Sequence, residues 1–175
     1  MTVIKIYTGI GSRETPDDVG ELMTNIAQEL EEDGFILRSG GASGADSFFE
    51  RGITNPRNKE IYLPEKDFNK NISKLFGVSN EALELASTIH PAWSKCRPYA
   101  RLLHARNCYQ VLGKDLRTPT DFVLCWTEGG AIKGGTATAI KLAQKYSIPV
   151  LNFGSVKSKK FREAFDNFYM LAGNR

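Results

Sequence analysis

Nine of the 16 glycines fall in three clusters whose neighbours are small, hydroxylated or charged. They are Gly9-Ile10-Gly11-Ser12-Arg13, Ser39-Gly40-Gly41-Ala42-Ser43-Gly44-Ala45-Asp46, and Glu128-Gly129-Gly130-Ala131-Ile132-Lys133-Gly134-Gly135-Thr136. Glycine lacks a Cβ, so such loops adopt positive φ and bring backbone N–H groups close to an anion, which is the chemistry of phosphate binding. The candidate nucleotide-binding residues are therefore Gly9, Gly11, Ser12, Arg13, Ser39, Gly40, Gly41, Ala42, Gly44, Asp46, Glu128, Gly129, Gly134, Gly135 and Thr136, with Arg38, Arg101 and Arg106 supplying positive charge. On this reading Gly41→Val blocks any ligand. The nucleoside-triphosphatase loop G-x-x-x-x-G-K-[ST] is absent, so ATP hydrolysis lacks its usual apparatus. The dinucleotide pattern G-x-G-x-x-G also fails, because Glu14 stands where its third glycine would be.

Glu50 and Glu128 are the candidate catalytic carboxylates, while Asp46 is better placed to cap its own helix or hold its loop by hydrogen bonds. Residues 85–114 contain no acid yet carry Lys95, Arg97, Arg101, Arg106 and Lys114, a local charge of +5 within a chain whose net charge is +3. Such a segment suits a phosphate-rich ligand or chain. Trp93, Tyr99 and Trp126 could stack on a base, with core packing favoured for Trp126, and His90 and His104 are more often packed residues than general acids. Cys96, Cys108 and Cys125 are odd in number and lack paired spacing, so neither a disulfide framework nor a zinc site is expected. No metal and no cofactor is assigned.

The elements that must position these groups are legible from periodicity. Val3–Thr8 reads as a buried strand, and Val19, Leu22, Met23, Ile26, Ala27 and Leu30 form one apolar helical face behind Thr15 as N-cap and Pro16 as first helical residue. Strand 35–38, a helix to about 52, strand 59–63, an irregular stretch 65–78, helices 79–89 and 98–112, strand 121–126, helix 135–146, strand 149–152 and helix 158–171 follow. In the 98–112 helix, Arg97, Arg101, His104 and Cys108 lie along one stripe and Leu102, Ala105, Tyr109 and Leu112 along an apolar one, with Arg106 pointing away from His104. Strands alternating with helices predict an α/β, Rossmann-like, doubly wound and mostly parallel sheet with helices on both faces. At 175 residues this is one domain, 1–175, with a helical insertion at about 65–115. Every glycine loop then follows a strand and opens a helix, at the carboxyl edge where open α/β sheets bind ligands.

In order along the chain, Gly9-Ile10-Gly11-Ser12-Arg13, the Ser39–Asp46 loop, and Gly134-Gly135-Thr136-x-x-Ala139-Ile140 before Ile148-Pro149-Val150 resemble the SLOG superfamily. The likeness is greatest to its small DNA-processing-protein-A-like members, of the kind often carried by phages. The resemblance implies a phosphate-and-sugar ligand, and three functions follow from it. A binder of a nucleotide or nucleotide-derived signal, cyclic or ADP-ribose-type, for sensing or sequestration is the leading expectation. An N-glycosidase of nucleoside monophosphates, as in the Lonely-guy phosphoribohydrolases, is the second, although Ala139 stands where their P-G-G-x-G-T-x-x-E motif has its carboxylate. Single-stranded DNA binding in recombination is the third. Homo-oligomers, frequent in that superfamily, are also implied.

Composition narrows the class further. Hydrophobic residues make up 41% and charged residues 25%, ordinary for a soluble protein, and no apolar run approaches the length of a membrane span. The alternating N-terminus lacks a secretory pattern, so a cytoplasmic location without membrane partners is expected.

Overall fold

The computed structural model describes residues 2–173. The chain runs β1 (Lys5–Gly11), α1 (Asp17–Glu32), β2 (Phe35–Ser39), α2 (Ala45–Arg51), β3 (Lys59–Leu63), β4 (Leu75–Phe76), α3 (Asn80–Ile89), α4 (Pro98–Leu112), β5 (Phe122–Trp126), α5 (Ala137–Lys145), β6 (Val150–Asn152) and α6 (Phe161–Ala172). The six strands form one sheet in the order β4-β3-β2-β1-β5-β6, and every pair is parallel. The fold is α/β and Rossmann-like. The winding direction reverses at β1, where β2 lies on one side and β5 on the other, so the loops leaving β1 and β5 part to open a crevice.

Side-chain alternation along the strands feeds two cores. Tyr7, Leu37, Phe122 and Leu124 face α1, α2 and α6, while Ile10, Val123 and Cys125 face α3, α4 and α5. On α1, the apolar stripe Val19, Met23, Ile26, Ala27 and Leu30 is fully buried, at about 1.5–3 kcal/mol for each large side chain. Gly20 of α1 lets Phe48 of α2 pack against the helix backbone.

Several boundaries differ from the sequence expectation, each for a local reason. Thr15 does not cap α1: its hydroxyl turns back to donate to the Ser12 carbonyl at 2.7 Å, and Pro16 takes the cap position. Residues 65–78 include the two-residue strand β4, too short to leave a periodic signal. The predicted stripe pattern on α4 does not describe its surroundings, because residues 104–112 are buried on every side between the sheet, α3 and α5. His104 and Cys108 are thus enclosed rather than part of a cationic outer face.

Candidate functional site

A cleft of about 420 Å³ opens at the carboxyl edge, between the loops that leave β1 and β5. That volume lies in the range of small-ligand sites. Its walls are Ile10 to Glu14 from the first loop, Ala42 and Asp46 from the second, Thr127, Glu128 and Lys133 to Thr136 from the third, and Leu103, Arg106, Asn107 and Gln110 from α4.

The first two loops are knitted together. The Ser12 amide donates to the Trp126 carbonyl at 2.9 Å, and the Ser12 carbonyl accepts from the Ala45 amide at 3.2 Å. Gly44 makes this approach feasible, with φ of +82° and a would-be Cβ only 2.4 Å from the Ser12 carbonyl oxygen. Asp46, only 4% exposed, accepts from the Ala42 amide at 3.3 Å, with the Gly40 and Gly11 amides also lowering the energy of its ionised form, so it holds the loops from inside. Burial pushes its carboxyl up to about 6, against the opposing pull of the Arg106 charge and those three amides. The third loop is tied to α4 by Asn107, whose side-chain amide donates to the Gly135 carbonyl at 2.5 Å. A Cβ on Gly134 or Gly135 would meet open space, so their backbone is accessible from the cleft.

Arg106 is the organising cation. It is 5% exposed, with Nε donating to Asn107 Oδ1 at 3.0 Å and Nη1 donating to the carbonyls of Gly40 and Tyr62. Its guanidinium carbon lies 5.5 Å from the Phe68 ring centre. Among the described residues its Nη2 makes no hydrogen bond, and Arg106 forms part of the cleft wall. Arg13, from the first loop, lines the same cleft and is exposed. The lining carries Arg13, Arg106 and Lys133 against Glu14, Asp46 and Glu128, so its formal charge depends on whether Asp46 is ionised.

Of the residues predicted from sequence, Gly11, Ser12, Arg13, Ala42, Asp46, Arg106, Glu128, Gly134, Gly135 and Thr136 meet in this cleft. The others serve packing beside it. A Cβ on Gly9 would strike the Phe49 ring, the Ser39 hydroxyl donates to the Gly9 carbonyl, and Gly40 is walled by Gln110, Asp46 and Arg106. Gly41 has a φ of +67° and its Cβ position points at Leu63 and Asn71, so Gly41→Val would act through strain and not by filling the cleft. Gly129 lies outside the lining in a short turn.

The remaining charges are engaged elsewhere. Arg38 is buried, pairing through Nε with Glu60 at 2.8 Å and bonding the Thr118 carbonyl. Arg101 stacks its guanidinium 5.2 Å from the Trp93 ring centre and donates to the Trp93 carbonyl. Glu50 is bound by Lys59 at 3.1 Å and by Asn71 at 3.0 Å, outside the cleft, whereas Glu128 reaches its rim with its side chain 82% exposed. Sequence reasoning missed Asn107 and Gln110. A polar trio at 106, 107 and 110 on a helix otherwise packed with apolar residues was the available signal.

No family profile and no curated protein matches this chain. Among solved structures, DNA processing protein A from Helicobacter pylori, described for its single-stranded DNA binding mode, superposes with a TM-score of 0.51. The match covers 94% of this chain and 73% of that one. The fold is similar to that of DNA processing protein A. At 15% identity the likeness to DNA processing protein A is one of architecture, and it agrees with the SLOG resemblance carried by the glycine loops. No helix among the described residues is long and apolar enough to cross a membrane.

Proposed function

We propose that the cleft binds single-stranded DNA, seating a backbone phosphate between Arg13, the free arm of Arg106 and the exposed amides of Gly134 and Gly135. The observation that carries this reading is Arg106: a cation in the cleft wall whose guanidinium is held by three hydrogen bonds through Nε and Nη1, leaving Nη2 unbonded and the side chain preorganised at little further entropic cost. Fold likeness to a protein that binds single-stranded DNA favours a strand over the nucleotide-type signal that the loops alone recommend. Tyr99, 44% exposed near the start of α4, with Lys95 and Arg97 exposed beside it, offers the aromatic and cationic surface along which a strand would continue. The hydrolase reading is weaker, since Ala139 is buried where a carboxylate would be needed and Glu50 is committed to Lys59.

Anisotropy titrations of a labelled oligothymidylate test the proposal directly. Binding should weaken steeply with salt, with log K falling at about −0.7 per phosphate neutralised. Arg13→Ala, at an exposed position, should lower affinity about tenfold and flatten that slope by about one contact without changing the melting temperature. Tight binding of free nucleoside monophosphates or cyclic nucleotides, with no affinity for the oligomer at low salt, would overturn the strand reading.

Asp46 adds a pH dependence of defined sign. Below about 6 the carboxyl gains a proton and the cleft loses one negative charge, so affinity for a phosphodiester strand should rise as pH falls. Phosphodiesters do not titrate in this window, which isolates the protein's contribution. We expect a gain of about three- to tenfold between roughly pH 7.5 and pH 5. Asp46→Asn should hold the higher affinity at both ends; a pH profile unchanged by that substitution would remove Asp46 from the account.

A further inference from the structure

Outside the cleft, the loop between α3 and α4 gathers three metal-ligating side chains. His90 caps the C-terminus of α3, Cys96 precedes α4 by two residues, and His104 lies two turns into α4. One donor atom from each lies within 4.8 Å of the others. The Cys96 sulfur is 3.7 Å from both ring nitrogens of His90, and the two imidazoles have their centres 4.4 Å apart. We propose that His90, Cys96 and His104 form a binding site for a borderline divalent cation of the zinc class, which staples the 90–97 loop onto α4.

The donor set fits that chemistry. A thiolate with two imidazoles selects zinc-like ions over magnesium or calcium, and three protein ligands leave a fourth position for water. Tetrahedral ligands at about 2.0–2.3 Å from a zinc ion stand roughly 3.3–3.7 Å apart, so donor atoms within 4.8 Å of one another need a contraction of about 1.5 Å at most. The imidazoles are already oriented. His104 Nδ1 is 2.8 Å from the Thr138 hydroxyl of α5, which directs its Nε2 to be the ligand, and His90 Nδ1 accepts the Ala92 amide at 3.1 Å, leaving its Nε2 free. The arms that could move are few: Arg101 pins the loop through Trp93, so the small contraction falls on His90 and Cys96.

Chelator-stripped protein titrated with Co²⁺ tests the site without reference to DNA. One equivalent should produce a thiolate-to-cobalt charge-transfer band in the near ultraviolet, and Zn²⁺ should displace it. Cys96→Ser should abolish the band, whereas Cys108→Ser and Cys125→Ser should retain it, since both thiols are buried and neither belongs to the donor cluster, the Cys108 thiol being turned to the His104 carbonyl. Thr138→Val should weaken Zn²⁺ affinity about 10- to 100-fold by releasing the His104 ring. As a measurement on the unmutated chain, Zn²⁺ should protect Cys96 from alkylation, read by peptide mass spectrometry. Absence of a charge-transfer band in the native protein, a band that survives Cys96→Ser, or alkylation of Cys96 indifferent to Zn²⁺ would each overturn the proposal.

Discussion

Arg106→Met is expected to lower folding stability by about 3–5 kcal/mol and to abolish binding of single-stranded DNA. Methionine keeps an unbranched apolar side chain at this position but removes the guanidinium, together with its stacking over Phe68. The carbonyls of Gly40 and Tyr62 both lose a buried donor, at about 1–3 kcal/mol each, and Asp46 loses the positive charge that offsets its burial. The last contribution has a pH signature. Asp46 already binds its proton more tightly in the folded state than in the unfolded chain, and removing Arg106 strengthens that preference further. The ionised form is what the variant cannot accommodate, so the deficit should be larger at pH above about 6 than below it. Urea unfolding at two pH values measures both effects. A loss under about 1 kcal/mol at either pH would mean that water replaces the guanidinium and that the loops do not depend on it.

The second large effect is at Gly44. With φ of +82° and ψ of −131° it occupies a region closed to other residues, and a methyl group there would lie 2.4 Å from the Ser12 carbonyl oxygen and 2.6 Å from Arg13 Cα. Both neighbours are backbone, so relief requires the first loop to move away from the second. Gly44→Ala should cost about 2–5 kcal/mol, combining conformational strain with overpacking, and the protein that remains folded should bind DNA weakly because Ser12 and Arg13 are displaced. Gly129→Ala is the control. It also has positive φ, +60°, but nothing lies within 4 Å of its Cβ position, so it should cost only about 1 kcal/mol and leave binding intact. Thermal melts of the pair decide the matter: equal losses would show that left-handed backbone alone, and not the contact between loops, is at stake.

The cleft was legible from sequence to the extent that its parts are local. Glycine clusters placed after strands could be assigned to one sheet edge without coordinates, because a parallel sheet sends all its strand-to-helix loops the same way. The charged residues were not legible in the same manner. Arg38 and Arg106 are both arginines near glycine loops, yet Arg38 sits one residue inside β2, where its side chain crosses toward Glu60 and Thr118, whereas Arg106 faces the loops from α4. Glu50 likewise follows the second loop closely in sequence but leaves α2 on the side of Lys59 and Asn71.

The sequence by itself therefore determined the order of the longer strands and helices, the parallel sheet they form and the edge at which the glycine loops gather. Those properties follow from hydrophobic periodicity and backbone handedness, which act over a few residues. Only the tertiary structure decided which side chains share a cavity. Helix α4 is enclosed by the sheet on one side and by α3 and α5 on the other, so no amphipathic stripe announces how it is rotated. That rotation turns Arg106, Asn107 and Gln110 toward the glycine loops and His104 toward Thr138, His90 and Cys96. It is set by packing between residues distant in the chain.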